Sequence, residues 1–244
     1  MNKNILIILV SLLFNFGYGQ TNTWTGATST AWENGLNWSL GLAPQVLENV
    51  VIPSVVNQPV ISASGATCAT LTLDAGSSLT INSSGTLAVI GEITITAPTI
   101  DNGNTTLAVG SGTLAAGGIT MAAGANDTRK CYLSIDTGTA NVSGNVTMIG
   151  SELQNIMVFT GIGTLNIGGT MVGGSLTPGI GEVNYNGLTG QTVGSYVYHN
   201  LTLSGAGIKT FDSAIAVNNT LSIEAGVIAD LGTFIHSTFL LSLN

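Results

Sequence analysis

The sequence predicts an all-β chain folded as a parallel β-helix, a solenoid of short strands closed at its start by an aromatic cap. Three observations carry that prediction. After residue 16 nearly every apolar pair is separated by Thr, Ser, Asn or Gly, the period-two pattern of strands with one buried face. The strand-like pieces run three to five residues and are joined by turns such as DAGSS, NSSG and DNGN. No stretch after the first 19 residues repeats apolar residues at i, i+3, i+4 and i+7 over helical length, so none of it reads as a helix.

The first element is a leader over residues 1–19. Lys3 supplies the positive charge, Ile5 to Phe16 an apolar core, and Gly17 and Gly19 the small residues at −3 and −1 of a cleavage site before Gln20. These are the three parts of a secretory signal, and the core is too short to span a bilayer. No Cys follows the apolar run, which argues against a lipid-anchored lipoprotein. Export places the mature chain in a secreted or cell-surface location, with no membrane span once the signal is removed.

Residues 20–65 form a Trp-rich cap with the first strands. All three tryptophans, Trp24, Trp32 and Trp38, fall in NTWTGATSTAWENGLNWSLGLAP. An open solenoid end exposes apolar rungs and unpaired strand edges, so something bulky must cover it, and terminal repeats are atypical for that reason. The functional alternative is a platform of rings for stacking on sugars.

Residues 66–244 carry the solenoid repeats. Leu71 and Leu73, Leu79 and Ile81, Leu87 and Val89, then Ile93 and Ile95 alternate with polar residues, and Leu107, Val109, Ile119 and Met121 continue the series. Strands this short are unstable as lone hairpins. They make sense when each stacks on its equivalent in the next coil, in repeats of roughly 20 residues. Stepping from Leu71 to Ile93 to about Leu114 gives that length. Leu71, Leu73, Leu79, Ile81, Leu87, Val89, Ile93 and Ile95 should then face inward, and Thr72 and Thr80 outward. CYLSID, NVTMIG, GTLNIGG, GEVNYNG, YHNLTLSG, IKTF, IAVNNTLSIEAG and GTFIHS keep the style more loosely. A two-sheet sandwich ranks second, since only 6% of the chain is aromatic and a sandwich core needs larger residues and longer strands. An outer-membrane barrel ranks third, since its strands are about ten residues long with aromatic girdles.

Two long stretches carry a resemblance. TWTGATSTAWENGLNWSLGLAPQVLENVVIPSVVNQPVI with ATLTLDAGSSLTINSSGTLAVIGEITI, and later GEVNYNGLTGQTVGSYVYHNLTLSGAGIKTF with IAVNNTLSIEAGVI, resemble the large secreted β-strand-repeat proteins of Bacteroidetes. The resemblance implies adhesin-like cell-surface or extracellular proteins built on a parallel β-helix. Many members end in a sorting domain read by type IX secretion. This chain departs from that pattern at FIHSTFLLSLN, which implies either a truncated sequence or another route out.

Composition limits the chemistry. Only 7% of residues are charged, with 12 acidic against 4 basic; removal of Lys3 leaves 3 basic residues and a net charge of −9. Nucleic-acid binding needs a basic stripe that is absent here, as does attachment to an anionic membrane surface. Asp74 with Glu92, and Asp212 with Glu224, are the acid pairs that neighbouring coils would bring close enough for glycoside hydrolysis. Each of these acids sits in or beside a Gly- or Ser-containing turn, where solvated acids maintain solubility. Arg129 and Lys130, beside Asp127 in ANDTRK, are the one basic pair, and the turn reads as a solvated loop tip. His199 and His236 are isolated, and no zinc, redox or calcium spacing occurs. Gly-rich GIGTLNIGG and GTMVGGSL follow no strand–helix unit and are turns.

Cys68 and Cys131 permit one disulfide or two buried thiols. Their 63-residue separation, roughly three coils of about 4.8 Å each, favours unpaired cysteines in a regular solenoid. The NxS/T triplets at Asn37, Asn82, Asn104, Asn126, Asn141, Asn145, Asn200 and Asn218 follow from composition. Asp212-Ser213-Ala214 resembles a short bacterial O-glycosylation signal.

The sequence therefore assigns no catalytic, cofactor-binding or metal-ligating residue. It points to a secreted non-enzymatic structural or adhesive surface protein presenting an elongated Thr/Asn-rich face, with glycans or surface proteins as partners. The alternative is a polysaccharide-binding or polysaccharide-processing β-helix, with Trp24, Trp32 and Trp38 or a carboxylate pair as its site. Ice binding ranks last, since TxT at Thr70/Thr72 and Thr94/Thr96 is not maintained in every coil.

Overall fold

The computed structural model describes residues 19–244; the predicted leader, apart from Gly19, lies outside them. Among the described residues are 24 strands and one 3-10 turn, Gly35–Asn37. Every ladder between named strands is parallel. The strands stack coil on coil into sheets of 15, 6 and 3 strands, a β-solenoid of about nine turns. Parallel pairing needs a crossover between partners, and here each crossover is the remainder of one coil. Among the described residues the antiparallel hairpins of a sandwich do not occur. Among the described residues no helix is long and apolar enough to cross a membrane.

Three inward columns hold the coils together. Leu71, Ile93, Ile119, Val146 and Met171 follow one another in register. A second column runs Leu87, Leu114, Ala140, Leu165, Val183, Leu201 and Leu221, and a third runs Leu79, Leu107, Leu133 and Met157. All are buried, and each large side chain contributes about 1.5–3 kcal/mol by leaving water. Thr72 and Thr80 lie on the outer side of the same strands, so the predicted inward set, Leu71 to Ile95, is in register.

One step differs from expectation. Ile93 sits on Ile119, while Leu114 sits on Leu87. Thr86–Ile95 is one long strand serving two columns, with a register shift between Val89 and Glu92. A local apolar alternation cannot reveal that its two halves lie on either side of a bend. Coil length is also uneven: Leu71 to Ile93 is 22 residues, Ile93 to Ile119 is 26, and Leu165 to Val183 and Val183 to Leu201 are 18 each.

The first coil begins at Thr21–Thr23, which pairs with Asn49–Ile52. Trp24 continues that ladder through its N–H to the Val51 carbonyl, and Trp32 donates likewise to Val60. Both indoles therefore take inward positions of the first rung. Trp38 folds back as an antiparallel bridge to Trp24 and lies edge-on to both rings, with centroids 5.0 Å from Trp24 and 4.6 Å from Trp32. Buried Asn37 ties the loop, accepting from Thr28 and Ser29 and donating to Ser29 and Ala31. At the other end, Leu241 and Leu243 stand over Leu221 and Ile223 but remain 50% and 71% exposed.

Candidate functional site

The aromatic cluster offers no platform. Trp24, Trp32 and Trp38 are 0%, 2% and 3% exposed, and sugar stacking needs an open ring face. Two indole N–H groups are spent inside the protein, Trp24 on the Asn57 carbonyl and Trp38 on the Trp32 carbonyl, both at 2.7 Å. Enclosed at the start of the core, the three rings are set up to seal it.

The acids do not converge as pairs. Asp74 aligns with Thr96, since its strand neighbours Leu73 and Ile95 are partners, and Glu92 lies four residues back along the same sheet. Four residues at about 3.3 Å each and one rung of about 4.8 Å put the two roughly 14 Å apart. Glu92 is engaged by the Thr120 hydroxyl at 2.6 Å. Asp212 follows a strand of the three-stranded sheet, Gly207–Phe211, whereas Glu224 follows a strand of the large sheet and accepts from Ser222 and Asn244. Arg129 pairs with Asp101, at 2.9 Å, and not with Asp127, which accepts from Ser151. The Asn126 amide and then the Arg129 guanidinium hold the Asp101 carboxyl below its usual range.

His236 packs against Phe211 and Phe234. Among the described residues no group of three or more His, Cys, Asp or Glu is placed to hold a metal. Cys68 and Cys131 are both free and buried. Burial pushes the Cys68 thiol up to about 12 and the Cys131 thiol up to about 11, so neither supplies a thiolate at neutral pH.

The structure instead lays out ranks of neutral polar side chains. Thr72, Thr94, Thr120 and Thr147 stand in one file along the coils, and Thr86, Thr113, Thr139 and Thr164 in another. The two files lie in different strand columns, so they do not form the side-by-side TxT lattice that ice binding requires. Beside the second file runs an amide ladder. Asn166 donates to the Asn141 side-chain oxygen at 2.8 Å, Asn184 to Asn166 at 3.0 Å, and the Ser204 hydroxyl to Asn184 at 2.8 Å. The signal for it is present in TANV, TLNI and EVNY, where Asn takes the same outward place in three successive strands. It becomes visible only once those strands are aligned.

The ladder borders a shallow groove of about 610 Å³. Its lining includes Ile90, Gly117, Ser143, Gly168 and Asn186, which occupy the same corner of five successive coils. Two glycines keep that corner low: a Cβ at Gly117 would lie 2.5 Å from the Ile90 carbonyl oxygen, and one at Gly168 2.2 Å from that of Ser143. Exposed Ile90 and Leu188 stand at its ends. A second hollow, of about 440 Å³, lies beside Gly173, Gly174 and Tyr196 near the point where the coils shorten; the Tyr196 hydroxyl is spent on the Gly173 carbonyl.

A family model described as a domain of unknown function (DUF8693) matches residues 23–150, just over half of the chain. No curated protein and no solved structure matches it.

Proposed function

We propose that this chain, which belongs to the DUF8693 family, is an exported, non-enzymatic structural or adhesive protein presenting a long Thr- and Asn-rich face to glycans or other surface proteins. The observation that carries the reading is the outer surface itself. Hydroxyls and amides repeat over successive rungs, while the acids and bases are few and, among the described residues, form one ion pair, Arg129 with Asp101. General acid–base catalysis needs groups within hydrogen-bond reach of the same substrate atoms, and the acid pairs weighed above lie far apart or on different sheets. The leader at residues 1–19 and the resemblance to secreted β-strand-repeat proteins of Bacteroidetes support export and a surface location. Of the alternative reading, the binding half is favoured by the groove beside the amide ladder, and the processing half by no arrangement of side chains.

The test pairs a glycan array with reducing-sugar and unsaturated-product assays on the purified chain. Retention on glycans or on cell surfaces without turnover is expected. Turnover of any glycan that disappears in Asp74→Ala or Asp127→Ala, with circular dichroism unchanged, would overturn the proposal.

A further inference from the structure

We infer that the groove from Ile90 to Leu188 holds one chain of a neutral glycan, laid along the solenoid axis and hydrogen-bonded by the Asn141–Asn166 ladder. The inference rests on the adhesive reading above and assigns it a location and a ligand class.

Direction comes from the fold. The groove crosses five rungs, four steps of about 4.8 Å, so it runs roughly 19 Å along the axis. On the side of a solenoid the strand N–H and C=O groups point along the axis and are consumed between coils. Val142, for example, accepts from Gly168, and Ile167 accepts from Asn186. A peptide lying here would meet no free strand edge, which removes the usual route to peptide capture. Recognition must come from side chains, and these repeat once per rung.

Chemistry comes from the lining. None of the residues lining the groove is ionisable. A polyanion would find no cation in it and would approach a chain of net charge −8. A polycation would find no carboxylate in it. An acyl chain would cover the Asn amides without satisfying them, and a buried unpaired amide is costly. A glycan satisfies both halves of the surface. Its hydroxyls can pair with the amide groups that the ladder leaves free, since each Asn side chain has two N–H donors and two lone pairs and spends only part of them on its neighbours. Its C–H faces can rest on Ala88 and Ala115, which are exposed and also line the groove.

The ladder also fixes geometry in advance. Asn141, Asn166 and Asn184 hold one another, so little side-chain entropy remains to be lost on binding.

The experiment is affinity electrophoresis of the purified chain and three variants in gels containing hydroxyethylcellulose, xyloglucan or galactomannan, with polygalacturonate and chitosan as charged arms. Ala115→Trp fills the groove from an exposed strand position, Asn166→Ala cuts the ladder, and Thr147→Trp puts the same bulk on another face. Circular dichroism and thermal melts check that each variant folds. Retardation by at least one neutral glycan is expected, weakened by about tenfold or more in Ala115→Trp and Asn166→Ala and unchanged in Thr147→Trp. Equal retardation of all variants would overturn the groove while leaving the adhesive reading intact. Retardation only by a charged polymer, or by none, would overturn the assignment of a neutral glycan, and cell-surface retention without turnover would still test the broader proposal separately.

Discussion

Lys209 lies one rung from Gln191 in a parallel ladder, fully buried, with its ammonium donating to the Gln191 side-chain oxygen and, at 2.8 Å, to the Gly187 carbonyl. Gln191 is itself fully engaged, taking the Gly187 N–H and donating to the Ile167 and Gly169 carbonyls. Two of the three ammonium N–H groups have acceptors, and no carboxylate takes part in the knot. A buried charge without a counter-charge is stabilised less than in water, and desolvation lowers the Lys209 pKa from its ordinary 10.5.

That sets a pH dependence with a definite sign. Below the depressed value the folded chain must bury a charge. Between that value and 10.5 the unfolded chain binds more protons than the folded one, so the contribution of Lys209 to stability rises with pH. Thermal melts of the wild type and Lys209→Met between pH 7 and 10.5 should show the wild type gaining on the variant as pH increases. A difference that is flat or falls over that range would mean the ammonium is adequately solvated where it sits.

The two thiols act in the opposite direction. Their folded pKa values, about 12 for Cys68 and about 11 for Cys131, stand above the ordinary 9.0, so the stability they contribute is complete below pH 9 and is lost as pH climbs towards those values. Replacing both by Ala should flatten the alkaline fall in melting temperature between pH 9 and 11, whatever it does at pH 7. Native protein at pH 8 should also resist a thiol reagent and react at both cysteines in denaturant; fast labelling of the native form would contradict the burial.

Much of the fold is legible in period-two patterning, because a one-residue slip turns every side chain over. Leu71, Leu73, Ile93 and Ile95 leave a strand almost no choice of face. The pattern misleads at GIKTF, where Ile208 is 47% exposed and Lys209 is buried: hydrophobicity alone would reverse the pair, and only the partner Gln191, distant in sequence, accounts for the choice. Column membership is invisible for a related reason. Nothing local in TLAVIGEITI marks the shift between Val89 and Glu92 that separates its two halves. The amide ladder and the groove are properties of stacked coils, so they emerge only when Asn141, Asn166 and Asn184 are set in register. The tryptophans are conspicuous in sequence, but the choice between plug and platform depends on burial.

Gly168 provides a sharp test of that stacking. An added Cβ would sit 2.2 Å from the Ser143 carbonyl oxygen, which is backbone and cannot swing away. Gly168→Ala should therefore cost about 1–3 kcal/mol, as overpacking does. Ser143→Ala, at the same corner one coil earlier, removes an exposed hydroxyl whose bonds to the Ala116 and Gly117 carbonyls are long, 3.3 and 3.4 Å, and should cost less than about 1 kcal/mol. Urea titrations of both variants settle the comparison, and similar midpoints would show that the corner is looser than the ladder implies.

The Trp38 ring should carry more of the stability of the first coil than any side chain outside the core near it. It fills the space between Trp24 and Trp32 and gives its N–H to the Trp32 carbonyl, so truncation removes a large apolar surface and leaves a buried acceptor unpaired. Trp38→Ala should cost about 3–5 kcal/mol, the range for large aromatic truncations in a core. Trp38→Phe retains part of the packing and loses the hydrogen bond, and should fall between. Leu36 and Leu42, in the same loop but 69% exposed each, should tolerate Ala within about 0.5 kcal/mol. Because coils stabilise one another only through neighbours, the damage from Trp38→Ala should also be local. Hydrogen exchange should quicken in Thr21–Thr23 and Asn49–Ile52 and stay slow in Thr164–Ile167. Uniform acceleration along the chain would show that the solenoid unfolds as one cooperative unit, with the cap acting on all of it.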